Sequence, residues 1–199
     1  LHDVTVLIPA RNEQAGIERT LRSLATQGRN LRIILVDDQS TDGTAEVAHE
    51  CGLPGLSILS GDPLPPGWTG KLWALEQGLR HVEGRLVLQL DADIELVPGT
   101  IAGLRDQMES RNLGLVSLMA RLSMGSPWER TLIPAFVFFF RLLYPFNLSN
   151  SRFKLVAAAA GGCILVRSDI LRQLGGFGAL KGALIDDCAL ARKVKDLGH

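Results

Sequence analysis

Hydrophobic positions along the first 120 residues follow two alternating rhythms. Short continuous apolar runs at residues 4–8, 31–36, 56–59, 86–90 and 115–118 have the length of buried strands. Between them apolar residues recur at helical spacing. Ile17, Leu21 and Leu24 form one such stripe, stopped by Gly28. Ala45, Val47 and Ala48 form a shorter one, entered through the turn-and-cap cluster Ser40-Thr41-Asp42-Gly43 and ending near Gly52. Leu72, Leu75, Leu79 and Val82 follow the Pro/Gly-rich loop 61–70, and Pro98 opens a helix carrying Ile101, Leu104 and Met108. Further on come a strand at 163–166 and a last helix from Asp186 that ends at Gly198. Repeated strand–helix–strand units predict an α/β chain with a largely parallel sheet covered on both faces.

Composition narrows the class. With 199 residues, 46% of them hydrophobic, the chain can bury the core of a single domain. Its 21 basic residues balance 21 acidic ones without a long run of like charge, which gives no reason to expect a nucleic-acid surface. Cys51, Cys163 and Cys188 are odd in number and far apart, so they read as reduced thiols and not as a disulfide framework or zinc site. The histidines are scattered and read as structural or surface residues. No signal peptide precedes the first strand, and no apolar run reaches the roughly 20 residues that cross a bilayer. Because the last helix stops with nothing behind it, the chain is expected to be truncated at its C-terminus.

Candidate chemistry gathers at strand ends. The run Leu86-Val87-Leu88-Gln89-Leu90 leads straight into Asp91-Ala92-Asp93, two carboxylates one residue apart. Such a pair suits a hard divalent cation that also bridges phosphate oxygens. Two other strands end in Pro9-Ala10-Arg11-Asn12-Glu13 and in Asp37-Asp38. In open sheets of this kind ligands lie outside the carboxyl ends of the strands, so three polar loops should converge there.

These segments, together with Val36-Asp37-Asp38-Gln39-Ser40-Thr41-Asp42-Gly43-Thr44 and Asp186-Asp187-Cys188-Ala189-Leu190, resemble the family 2 glycosyltransferases of GT-A fold across nearly the whole chain. Pro65-Pro66-Gly67-Trp68-Thr69-Gly70-Lys71, the run 132–140 and Ala160-Gly161-Gly162-Cys163 look closest to the bacterial hopene-associated glycosyltransferases. The resemblance implies a mostly parallel, mixed GT-A sheet in one catalytic domain. Residues 1–120 would form the nucleotide-sugar half and 121–199 the acceptor half. It also implies an inverting transferase that uses a nucleotide-sugar donor, usually a UDP-sugar, with Mg²⁺ or Mn²⁺. Residue by residue, Asp93 would hold the metal and Asp91 would assist it or face the sugar and ribose. Asp38 would accept from the base beside Asp37, while Pro9, Ala10 and Glu13 frame base and ribose. Lys71 would supply a cation near the nucleotide. Asp187, preceded by Asp186 where the family usually has Glu, would be the catalytic base. Plainer readings stand beside these: Asp37 and Asp42 as helix caps, Glu13 and Asp187 as first-turn carboxylates, Lys71 as a surface charge.

Residues 132–146 are apolar almost all round and are broken by Pro134, Arg141 and Pro145. As helix they span only about 22 Å, too short for the hydrocarbon core. They fit either a helix lying in the membrane interface or one buried on the sheet. The first choice agrees with a lipid or hydrophobic acceptor at the cytoplasmic face of a bacterial inner membrane. The glycine-rich stretch 175–182 reads as a loop that orders over bound donor, or as a linker. Three competing functions are a sugar nucleotidyltransferase, a phosphoacceptor domain suggested by Asp37-Asp38, and a non-catalytic sugar-nucleotide-binding subunit. The first lacks its Gly-rich loop here, and the second is far shorter than this chain.

Overall fold

The computed structural model describes residues 1–122, 124–151 and 156–199. In chain order the elements are β1 (Val4–Ala10), α1 (Ile17–Ala25), β2 (Arg32–Asp37), α2 (Thr44–Glu50), β3 (Leu56–Ser60), α3 (Gly70–Leu79), β4 (Leu86–Leu90), α4 (Thr100–Ser110) and β5 (Leu115–Ser117). Then follow α5 (Pro127–Leu143), α6 (Phe146–Ser149), β6 (Cys163–Arg167), α7 (Ser168–Gln173), a 3₁₀ turn (Phe177–Leu180) and α8 (Asp186–Asp196). The strands form one six-stranded sheet in the order β3-β2-β1-β4-β6-β5. β1, β2, β3 and β4 pair in parallel, whereas β6 runs antiparallel between β4 and β5. The sheet is therefore mixed, and the fifth strand in sequence reaches the sheet only through the sixth.

Alternation along each strand feeds two cores. Val4, Val6 and Ile8 of β1, Leu86, Leu88 and Leu90 of β4, and Cys163 and Leu165 of β6 face α1, α2 and α4. Leu7, Val87, Ile164 and Val166 face the other way, onto α3, α7, the 3₁₀ turn and α8. Each fully buried Leu, Ile or Val contributes about 1.5–3 kcal/mol, so this two-sided burial dominates the stability of the sheet. It also fixes the strand ends, because a one-residue slip would exchange the two faces.

Three sequence expectations change in detail. Val82 is buried but lies beyond α3, after a chain turn. The glycine-rich stretch 175–182 is anchored, with Phe177 and Leu180 buried and the Gly178 N–H donating to Glu76 Oε2 at 3.1 Å. The third concerns the apolar helix. α5 begins earlier than the apolar run, on a capping box between Ser126 and Glu129, and it has no buried residue, so it is not a core helix. Leu132, Phe136, Phe138, Phe139, Leu142 and Leu143 are all exposed.

Candidate active site

Each loop at the carboxyl edge of the sheet is held by its neighbours. The Asp38 N–H donates to Ala10 O at 2.8 Å, which locks the end of β2 to β1. The loops after β1 and β2 then lace together. Asn12 N–H donates to Ser40 Oγ, Thr41 N–H to Asn12 Oδ1 and Glu13 N–H to Thr44 Oγ1, at 2.8–2.9 Å. Asn12 and Gln39 both adopt left-handed backbone, at φ 56°. The loop after β4 is pinned from two sides. The Asp91 N–H donates to Gly162 O at 2.9 Å, and the buried Thr20 hydroxyl of α1 donates to Ala92 O at 2.7 Å. Ala92 is buried, so Asp91 and Asp93 flank a fixed point.

Together these loops and the start of α3 enclose a cleft of about 450 Å³ lined by Pro9, Arg11, Glu13, Asp38, Gly70, Lys71, Asp91, Ala92 and Asp93. Lys71 Nζ lies 2.6 Å from Asp91 Oδ1. Apart from this ion pair, the buried Oδ1 has no hydrogen-bond partner among the described residues. Burial raises the Asp91 carboxyl above its ordinary range. Lys71 opposes that, and the charges of Asp93 and Asp186 add to it. Glu13 is also raised, by burial and then by Asp93, Asp42 and Asp91. The carboxylates thus repel one another across a half-buried space, which is the electrostatic condition a cation relieves. No group of three or more acidic, His or Cys side chains among the described residues could hold a metal ion alone. The donor set fits Mg²⁺ or Mn²⁺ held by one or two carboxylates, with phosphate oxygens completing the shell.

Asp187 approaches the same edge from α8. A Cβ placed on Gly161 would stand 3.0 Å from Asp187 Oδ2, and one placed on Gly162 would stand 3.8 Å from Asp91 Oδ2. The Gly161-Gly162 dipeptide therefore abuts the base candidate through one residue and Asp91 through the next. Buried Gln89 holds the dipeptide by donating from Nε2 to Gly161 O at 3.2 Å, and the Ala160 N–H donates to Ser117 Oγ at 3.1 Å. The other carboxylate oxygen of Asp187 accepts the Cys188 N–H at 2.7 Å, as a first-turn carboxylate does.

Not every candidate lines the cleft. The Ala10 side chain sits in the core. Asp37 Oδ1 accepts the Ser40 N–H at 3.3 Å and closes its own turn. Asp42 is occupied by Thr44 and Gln14, the Thr44 hydroxyl bond being the main reason its carboxyl lies below the ordinary range. Asp186 reaches the site through its charge on Asp91. Thr20 and Gln89 are structural participants that sequence reasoning did not place, and Arg11, Gly70 and Gly161 were legible only as members of their motifs, without these contacts. Arg11 pairs with buried Asp38 at 3.5 Å, and Gly70 leaves room for that carboxylate. Gln89 did leave a signal, as the lone polar residue inside an apolar strand.

The pattern of the family described as Glycosyl transferase family 2 matches residues 5–175, and the chain belongs to that family. A 4,4'-diaponeurosporenoate glycosyltransferase of Staphylococcus haemolyticus is 36% identical over 93 residues, which is 47% of this chain and 24% of that protein. An undecaprenyl-phosphate 4-deoxy-4-formamido-L-arabinose transferase of Edwardsiella ictaluri is 35% identical over 103 residues, 49% of this chain and 31% of that protein. Among solved structures, a mannosyltransferase of Pyrobaculum calidifontis in complex with GDP-Man and Mn²⁺ superposes with a TM-score of 0.74 at 24% identity, covering 99% of this chain and 53% of that one. TarS of S. aureus in complex with UDP superposes with a TM-score of 0.68 at 19% identity, over 96% of this chain and 54% of the other. The fold is thus GT-A, and the chain spans only a quarter to a half of the lengths of these proteins.

Proposed function

We propose that the chain is the donor-binding and catalytic portion of an inverting glycosyltransferase that moves a sugar from a nucleoside-diphosphate donor to a lipid acceptor. The observation that carries this is the placement of Asp187 against Gly161, one residue from the turn that abuts Asp91. A base candidate and one carboxylate of the acidic pair then flank the same two-glycine turn. Asp38, Arg11 and the frame of Pro9 and Glu13 would take the nucleoside, with UDP the first choice of carrier. Asp93 and Asp91 would hold Mg²⁺ or Mn²⁺, which neutralises the departing diphosphate when bound. Lys71 adds a protein charge on the same side. Asp187 takes the proton of the acceptor hydroxyl as that oxygen bonds to the anomeric carbon and the carbon–diphosphate bond breaks on the opposite face. The donor half falls in residues 1–120 and the acceptor half in 121–199.

A lipid acceptor is supported by the names of the two relatives, one a 4,4'-diaponeurosporenoate glycosyltransferase and the other an undecaprenyl-phosphate 4-deoxy-4-formamido-L-arabinose transferase. It is also supported by the exposed phenylalanine and leucine face of α5, which would lie in the interface of the cytoplasmic leaflet. No helix among the described residues is long and apolar enough to cross a membrane. Within this class a hopanoid-related acceptor is the specific candidate.

Calorimetric titration of UDP with and without Mn²⁺, on the wild type and Asp93→Asn, tests the donor site. Binding that needs Mn²⁺ and is lost in Asp93→Asn is the expected result. Absence of binding by UDP, GDP and other common nucleotides would overturn the proposal. In the parent protein, Asp187→Asn should bind donor normally and turn over at least about a hundredfold more slowly, given the 10²–10⁴-fold worth of a general base. A parent with no turnover in wild-type form would instead mark a non-catalytic binding subunit.

A further inference from the structure

We propose that Lys195 and Tyr144 are positioning residues that tie the α5–α6 arm to the helix carrying Asp187, so that an anionic phospholipid surface gripped by the arm sets the placement of the base. The inference rests on the membrane contact proposed above. Lys195, on α8, donates its ammonium to three main-chain carbonyls: Leu148 at 3.3 Å, Ser149 at 3.0 Å and Val156 at 2.6 Å. An ammonium has three donors and no acceptor, so these contacts use its whole capacity on the end of α6 and the strand of chain leaving it. Leu148 O also accepts the Ser151 N–H at 3.1 Å and the Ser151 hydroxyl at 2.7 Å, so the ammonium joins a helix end that is already closed on itself.

The second tie is aromatic. Phe136, Phe140 and Tyr144 follow one another down α5, with ring centroids 6.2 and 5.1 Å apart, and Phe146 of α6 lies 6.4 Å from Phe140. The run starts on the exposed face and ends at Tyr144, whose hydroxyl is pushed above its ordinary range chiefly by the neighbouring Cys188, with the charge of Asp187 adding to it. The Cys188 thiol itself donates to Ala159 O at 3.9 Å. Cys188 is the residue after the base, and its N–H holds Asp187 Oδ1. A displacement of α5 therefore has a path of contacts to the base that does not pass through the sheet.

Charge identifies the occupant of the exposed face. Residues 119–151 contain Arg121, Arg130 and Arg141 against a single acid, Glu129. Glu129 is turned onto the helix's own N-terminus, where it accepts the Ser126 N–H at 2.8 Å. Arg141 lies beside Phe138 and Leu142, while Arg121 and Arg130 stand with the exposed Leu122 and Met124 where the helix begins. This mix of exposed apolar and basic side chains matches a leaflet with anionic headgroups.

Amide hydrogen exchange on this chain, with and without vesicles of equal parts phosphatidylglycerol and phosphatidylcholine, tests the coupling. In the wild type the vesicles should slow exchange across residues 132–143 and also at the Cys188 amide, each by about tenfold. Lys195→Met should keep the first effect and lose the second, and Lys195→Arg should restore it. A Cys188 amide indifferent to vesicles that do protect 132–143 would overturn the coupling while leaving the membrane contact standing. So would a Lys195→Met protein that responds as wild type. Lack of protection at 132–143 would overturn both.

Discussion

Gly70→Ala is the substitution whose sign the structure decides most sharply. A Cβ at Gly70 would lie 2.4 Å from Asp38 Oδ2 and 3.5 Å from Asp38 Cγ, so the carboxylate must move by roughly 1 Å to reach ordinary contact. The main chain of Asp38 is fixed by its bond to Ala10, which leaves rotation of the side chain as the escape. Overpacking costs about 1–3 kcal/mol, while Ala in place of a helical Gly returns up to about 1 kcal/mol. The Arg11 pair lost in the rotation involves a largely exposed guanidinium and is worth under about 1 kcal/mol. The fold should therefore lose only about 0–4 kcal/mol and survive, given typical domain stabilities of about 5–15 kcal/mol. Donor binding should suffer more. Losing one charge-assisted hydrogen bond to the nucleoside costs about 1.5–3 kcal/mol, which is roughly a ten- to hundredfold rise in the Kd of UDP. Titration calorimetry in the presence of Mn²⁺ reads this directly. Gly103→Ala is the control, because it lies in α4, is exposed, and has nothing within 4 Å of its Cβ. It should stabilise the protein slightly and leave the Kd alone. Combining Gly70→Ala with Asp38→Ala should add little to either single loss, since both act on one carboxylate. A Gly70→Ala protein that is folded and binds UDP within twofold of wild type would refute the assignment of Asp38 to the nucleoside.

Two further outcomes are expected. Gly161→Ala places a methyl 3.0 Å from Asp187 Oδ2, so the Asp187 side chain must yield by a few tenths of an ångström. Turnover of the parent should fall by up to about tenfold with the Kd for UDP unchanged, and an equal loss in both would mean the turn serves donor binding instead. The second concerns acid. Burial, and then the charges of Asp93 and Asp186, raise the Asp91 carboxyl against the opposing pull of Lys71. A proton competes with the cation for that carboxylate, so the Mn²⁺-dependent affinity for UDP should weaken as pH falls, starting above the ordinary carboxylate range. Affinity that holds level down to about pH 4 would contradict the raised Asp91.

The alternating pattern made the first four strands and their helices legible, because β1, β2 and β4 are buried on two sides, the edge strand β3 is half-buried, and each helix is buried on one face. β5 and β6 were legible as strands, but their pairing was not. The strand that separates β4 from β5 arrives almost fifty residues later in the sequence, and local periodicity holds no record of it. The acidic strand ends were legible for the same reason as the strands: a run that stops in Asp91 or Asp38 puts that residue at the sheet edge. What surrounds them was not. Thr20 reads as one polar residue on an amphipathic helix, yet its hydroxyl reaches a loop 72 positions away. Gly70 and Gly161 read as loop glycines, and only the tertiary structure shows that each makes room for a carboxylate. The exposure of α5 was also undecidable from sequence, since a helix apolar all round suits either a core or a membrane interface.

The charges lining the cleft argue that cation and donor bind together. Glu13, Asp38, Asp91 and Asp93 contribute four negative charges and Arg11 and Lys71 two positive ones, a balance of −2 when all are ionised. A diphosphate entering alone would add further negative charge to a half-buried site that already raises Asp91 and Glu13. The divalent ion alone finds too few ligands among these side chains, because no three of them converge. Each ligand removes the other's obstacle: the ion cancels the balance of −2, and the phosphate oxygens fill its shell. The coupling is reciprocal, so UDP should tighten Mn²⁺ by the same factor that Mn²⁺ tightens UDP. Lys71 sharpens the point. Its ammonium occupies the position beside Asp91 Oδ1 at 2.6 Å, and it would have to swing away or share that oxygen if Asp91 held the ion there. The natural place for the displaced ammonium is the diphosphate, and the site would then exchange an internal ion pair for two contacts on the leaving group.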